Sequence, residues 1–155
     1  MITHELISQE WEKDYPKPKE IRKNLENLAE ITLTFENKYN KYWDFYSQAE
    51  SQLHRKKAQH RKLESVLKRY FSKKHVSDEE IEYFNLKPLN TSFTKTEIDM
   101  MVKSHDKYSE SEMSIKSMES LLERIKECIK FISSWKFNQK DFIGMYRLVN
   151  GYVKE

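Results

Sequence analysis

The sequence predicts an all-α fold: an elongated helical protomer with two long heptad-patterned helices and a C-terminal helical hairpin, assembled into a closed homo-oligomer. Three observations predict it. Only two glycines and three prolines occur in 155 residues, so connections are few and elements long. Charged residues make up 34% of the chain and apolar ones 37%, the balance of Lys/Glu-rich long helices. Apolar residues also recur on a seven-residue beat over two long stretches, which keeps one stripe facing a partner along a supercoil. The length suits one domain, 1–155, with one modest core.

Residues 1–16 hold a short helix, around 3–14 and carrying Trp11, then a linker. "DYPKP" closes it, because the residue before a proline is pushed away from helical angles. Pro18 can open the next element, 18–72, since a first-turn proline loses no hydrogen bond. Steps of four and three from Ile21 reach Leu25, Leu28, Thr32, Phe35, Tyr39, Tyr42, Tyr46, Ala49, Leu53, Lys56, His60, Leu63, Leu67 and Tyr70. Only Thr32, Lys56 and His60 are polar on this seam. A helix of that length would span roughly 75 Å, against a radius of gyration of about 15 Å for a compact chain of this size.

Residues 73–93 read as a linker around one short helix, "DEEIEYF", with Ser77 and Glu80 in capping-box positions. Thr94 and Glu97 repeat that signature and open a second long helix, 94–135. Its beat is Met101, Tyr108, Ile115, Leu122, Ile129. A second line, Met118, Ile125, Ile132, and a third, Leu121, Cys128, Trp135, widen the apolar face toward the C-terminus. "SWKFN" reads as a tight connection, with Asn138 as N-cap and Asp141 three residues on. The final helix, 138–151, places Phe142, Ile143, Met145, Tyr146 and Val149 at one-face spacing. Gly144 permits close backbone approach, and Asn150 with Gly151 stops the helix. So short a helix does not stand alone, and few elements remain to cover so wide a face. Oligomerisation is therefore expected through Leu122, Ile125, Ile129, Ile132, Trp135, Phe142, Ile143, Tyr146 and Val149.

A single cysteine, Cys128, excludes an internal disulfide and fits a reducing, cytoplasmic compartment. The polar N-terminus is unlike a signal peptide, and no apolar run has the length a bilayer requires, so no membrane role is expected. The five histidines are scattered without zinc-helix spacing. With both glycines near the end, no phosphate-cradling loop exists. No metal, no cofactor and no enzyme activity are expected.

The net charge of +3 conceals a segregation. Residues 51–75, "SQLHRKKAQHRKLESVLKRYFSKKH", carry nine Lys/Arg and one acid, Glu64, for a local net of +8. A solvated coiled-coil face normally alternates Lys and Arg with Glu; here the alternation fails. Like charges at this density destabilise a helix, so the block points to a polyanion. The aromatic run "KYNKYWDFY" has two readings. Its seam tyrosines are core, or aromatics beside cations stack bases. Trp43 and Phe45 lie off the seam and are expected to touch a second helix.

Several segments in order resemble the UvsY recombination mediators of T-even-like bacteriophages. They are "QEWEKD", "NKYNKYW", "RKLESVLKRYFS", "YFNLKPLNTSFTKTEIDMMVKSHDKY" and "FISSWKFNQKDFIGMYRLVNGY", and together they cover nearly the whole chain. The resemblance implies an ssDNA-binding protein of DNA recombination, repair and replication that forms closed homo-oligomers, hexamers or heptamers, through its C-terminal region. It implies loading of a RecA-like recombinase of UvsX type against a competing single-strand-binding protein, in the host cytoplasm. Such proteins carry a Lys-x-Arg element before a "YYS"-type turn. The matching stretch is "VLKRYFS", which points to Lys68 and Arg69; here the cations are adjacent, which rotates one by about 100°. The DNA-binding expectation is accordingly spread over Lys56, Lys57, Arg61, Lys62, Lys68, Arg69, Lys73 and Lys74. The rival reading is a coiled-coil adaptor with no nucleic-acid role.

Overall fold

The computed structural model describes residues 2–14 and 28–149, with side chains for 2–14 and 34–134. Five helices lie among them: α1 (His4–Asp14), α2 (Leu28–Phe71), α3 (Asp78–Phe84), α4 (Lys95–Ser104) and α5 (Asp106–Val149). The described residues contain no strand. The chain is all-α, as its shortage of turn formers predicts. Pro18 and the start of the expected 18–72 helix lie outside the described residues, as do Asn150 and Gly151.

The chain divides into two units, Met1–Glu50 with Leu121–Glu155, and Ser51–Ser120. In the first, Ile7, Tyr42, Ile125 and Ile132 are wholly buried. Trp11 packs edge-on against Tyr42 of α2 and Phe131 of α5, with ring centroids 5.5 and 5.4 Å away. Polar contacts fix the end of α1. Lys41 pairs with Glu10 and with Asp14 at 2.7 Å, and Lys38 donates to the Asp14 carbonyl. A cation on a helix's last carbonyls complements both the orphan acceptors and the dipole.

In the second unit Leu63, Val66, Leu67 and Phe71 of α2 form a core with Leu86 and Val102. Two left-handed residues end its helices. Lys73 has φ 54°, with Lys73 N–H donating to Tyr70 and Lys74 N–H to Arg69. Asn85 has φ 51°, its N–H donating to Glu82 while Leu86 N–H donates to Ile81. Both are Schellman endings, built without glycine. Asparagine tolerates this conformation; a lysine costs about 1 kcal/mol there. The Tyr70 hydroxyl donates to the Lys87 carbonyl, tying the 85–94 connection to α2. Both expected capping boxes form: Ser77 with Glu80, and Thr94 with Glu97.

Two expectations are corrected. The predicted 94–135 helix is interrupted at His105 (φ −72°, ψ 130°), which ends α4. Its carbonyl accepts from Tyr108 and Ser109 N–H, and its ring Nδ1 accepts from Lys107 N–H at 3.2 Å, so His105 serves as the N-cap of α5. The predicted turn at "SWKFN" is absent. The α5 backbone runs on to Val149, since neither Gly nor Pro stands between Asp106 and Ile143.

Leu122, Ile125, Ile129 and Ile132 are buried within the chain's own first unit, where Trp11 of α1 also meets Phe131 of α5. The side chains of Trp135, Phe142, Ile143, Tyr146 and Val149 lie outside the described set. Tyr42 is core, 0% exposed. Trp43 is exposed, and its ring contacts among the described residues are with Tyr39 and Tyr46 of its own helix, at 6.3 and 5.5 Å.

Candidate nucleic-acid interface

All nine cations of the 51–75 segment fall in the second unit. The helical repeat sorts six of them into two lines flanking the buried Leu63–Val66–Leu67 face. Lys57, Arg61 and Lys68 stand on one side; Arg55, Lys62 and Arg69 on the other. The seam's polar positions meet serines of α5. Lys56 Nζ donates to Ser114 Oγ, and His60 Nδ1 lies 3.1 Å from Ser111 Oγ. As the α2 number rises the α5 number falls, so the two helices run antiparallel here. The His60 ring also rests 4.5 Å from the Tyr108 ring. Polar seam residues are thus answered by small hydroxyls, and the helix pair closes without leaving them orphaned.

Besides Glu64, one turn back on α2 itself, acids arrive from three other helices. Lys57 Nζ lies 2.7 Å from Glu119 of α5. Lys68 pairs with Glu64 at 2.8 Å and with Asp99 of α4 at 4.0 Å. Arg69 reaches Glu80 of α3 at 2.8 Å and the His75 carbonyl at 3.4 Å. Hydrogen bonding to Lys68 holds the Glu64 carboxyl below its usual pKa, and Arg69 does the same for Glu80. These pairs are solvent-accessible, so each adds little net stability and is screened by salt.

Four of the eight expected DNA-binding residues carry no acidic partner among the described residues and stand exposed: Arg61, Lys62, Lys73 and Lys74. Arg61 Nε only donates to the Lys57 carbonyl one turn back, at 3.3 Å. Lys56 is half-buried on Ser114. The eight do not form one cluster. They make four exposed cations without acidic partners among the described residues, three paired ones divided between the two lines, and one seam residue.

Two cations missed by the sequence reading join them from α5. Lys116 lines a groove with Lys57, His60 and Arg61, and Lys107 lines another with Lys62 and Tyr83. Both sit among acids in the sequence and pair with them in exposed contacts, Lys107 with Glu110 at 3.9 Å and Lys116 with Glu112 at 3.2 Å, so local charge hides them. Among the described residues no group of three His, Cys, Asp or Glu could hold a metal. None of the helices there is long and apolar enough to cross a membrane.

Fold and surface together define an all-helical protein with a cation-rich helical face. The chain belongs to the UvsY family: the model described as "Recombination, repair and ssDNA binding protein UvsY" matches residues 10–152. Its class is therefore that of single-stranded-DNA-binding proteins of recombination and repair. No curated protein and no solved structure matches the chain.

Proposed function

We propose that the chain is a recombination mediator that promotes loading of a RecA-like recombinase onto DNA coated by single-strand-binding protein. One observation carries the reading: Arg61, Lys62, Lys73 and Lys74 stand exposed without acidic partners among the described residues, on a segment of net charge +8. Such a surface is open to phosphates. The paired cations Lys57, Lys68 and Arg69 can exchange a screened carboxylate for a phosphate at small cost.

Each protomer's contacts are few, so grip depends on copies. A closed homo-oligomer, a hexamer or heptamer joined through the C-terminal segment, multiplies the cationic face and binds one strand at many equivalent sites. Bending the strand over that array loosens the resident binding protein and presents bases to the recombinase, whose own nucleotide hydrolysis supplies any energy. The cytoplasm, where unpaired DNA meets the recombinase, is the site of action.

Binding of oligo-dT across salt concentrations tests the DNA step. Log affinity should fall steeply with log salt, by about 0.7 per phosphate neutralised on a single strand. A flat response would instead favour the adaptor. Recombinase filament assembly on protein-coated DNA tests the loading step. The full chain should shorten the lag, and an unchanged lag would reject loading while leaving DNA binding intact.

A further inference from the structure

Tyr83 is the most exposed large apolar side chain of the described residues, 78% open to solvent. Nothing in the core explains it. Its ring meets Phe84 edge-to-face, centroids 4.8 Å apart and planes at 90°, which holds it while most of it stays free. The helix that carries it is pinned at both ends. The Ser77–Glu80 box closes the start, Asn85 the finish, and Arg69 clamps Glu80 from α2. Tyr83 is therefore a preorganised aromatic, not a floppy surface residue.

It lines a groove of about 560 Å³ with Gln59, Lys62 and Lys107, within the about 300–1,000 Å³ range of small-ligand sites. Two cations from different helices, α2 and α5, thus share a groove with an exposed ring. Lys62 has no acidic partner among the described residues, and Lys107 has only an exposed 3.9 Å pair with Glu110, which a phosphate can displace at small cost. Acids line it too. Glu80 is already engaged by Arg69 and Ser77, but Glu79 is exposed and repels phosphate from the α3 side. A strand laid with its sugar-phosphate toward Lys62 and Lys107 would bring a base over the apolar side.

We infer that this groove is a nucleobase-stacking subsite in which Tyr83 stacks one base of the bound strand while Lys62 and Lys107 hold its flanking phosphates. The inference rests on the DNA-binding reading above and adds a contact that charge alone does not give. Stacking on an aromatic is sequence-tolerant, because every base has a π-face. The subsite therefore accepts any sequence yet distinguishes a strand with bases from a bare sugar-phosphate chain.

The test compares the full-length protein with its Tyr83→Ala, Tyr83→Leu and Tyr83→Phe variants on oligo-dT and on an abasic oligomer of equal length. Each is checked by thermal melt and sedimentation. The wild type should prefer oligo-dT. Tyr83→Ala and Tyr83→Leu should lose about 5- to 100-fold in oligo-dT affinity, with abasic binding and the salt slope unchanged, and Tyr83→Phe should stay near wild type. Equal losses on both oligomers would indicate a structural role and overturn the subsite. So would unchanged oligo-dT binding, whether or not sedimentation shifts; a shift would mark the groove as the seat of a second copy. If the wild type binds neither oligomer, the DNA-binding reading itself fails, and that result is distinct from the others.

Discussion

The Arg69 guanidinium lies 2.8 Å from Glu80 Oε1, and the Glu80 carboxylate also accepts from Ser77 N–H at 3.3 Å. One acid thus starts α3 and fastens it to the end of the cationic helix. A residue expected to contact DNA is already in use as a clamp. Glu80→Gln should keep the capping box, since glutamine serves there, while releasing Arg69 and removing a negative charge. Affinity for oligo-dT should rise about 2- to 5-fold at low salt, read by fluorescence anisotropy. Weaker binding would mean that the clamp positions Arg69 for DNA.

The exposed cations should dominate the salt response. Arg61→Glu with Lys62→Glu should flatten the slope of log affinity on log salt by about 0.7 per lost phosphate contact. Lys56→Gln should change it least, because Lys56 is half-buried on Ser114. A slope indifferent to Arg61 and Lys62 would place the DNA elsewhere on the molecule.

Lys73 offers a case where stability and binding move in opposite directions. Its φ of 54° disfavours any side chain, so Lys73→Gly should stabilise the chain by about 0.5–1 kcal/mol. The urea midpoint should rise at constant m, while DNA affinity falls with the lost charge. A lower midpoint would show that the lysine side chain contributes contacts that outweigh its backbone cost.

Acid should loosen the second unit in a definite window. Glu97 sits below its ordinary 4.5 because Thr94 donates to it, chiefly from its backbone N–H. Glu64 and Glu80 are lowered in the same way by Lys68 and Arg69. The unfolded chain then takes up protons first on acidification. The stabilisation is complete above 4.5 and is lost as pH falls through the depressed folded values. The urea midpoint should decline from about pH 5 to pH 3, and decline less in Glu97→Gln.

Local signals were legible and distant ones were not. The pairs Ser77/Glu80 and Thr94/Glu97 predict two helix starts because a capping box is written within four residues. The end of α2 at Phe71 follows from the loss of periodicity after Tyr70. The break at His105 carries no Gly or Pro and depends on a ring nitrogen acting as a cap, which residue type alone does not announce. "SWKFN" resembles a turn by composition, yet nothing in it forbids helix. The cationic block was visible as charge. Which cations remain exposed and unpaired was not, because Glu119, Asp99 and Glu80 reach it from three other helices.

The buried face of α5 belongs to the protomer's core. Ile125 and Ile132 are 0% exposed within the protomer, so Ile125→Ala or Ile132→Ala should cost about 2–5 kcal/mol in chemical denaturation. Truncation after Ser134 should instead leave monomers or weak dimers with DNA affinity much reduced. A truncated chain that still sediments as the full assembly would move the self-association surface away from the C-terminus.

The most direct measurement is sedimentation of a labelled oligo-dT across a dilution series of the full-length protein, reading the mass of whatever carries the label. The account predicts that DNA travels with a multi-protomer assembly and is released when dilution takes that assembly apart. Label moving at the mass of one protomer, with undiminished affinity, would contradict it.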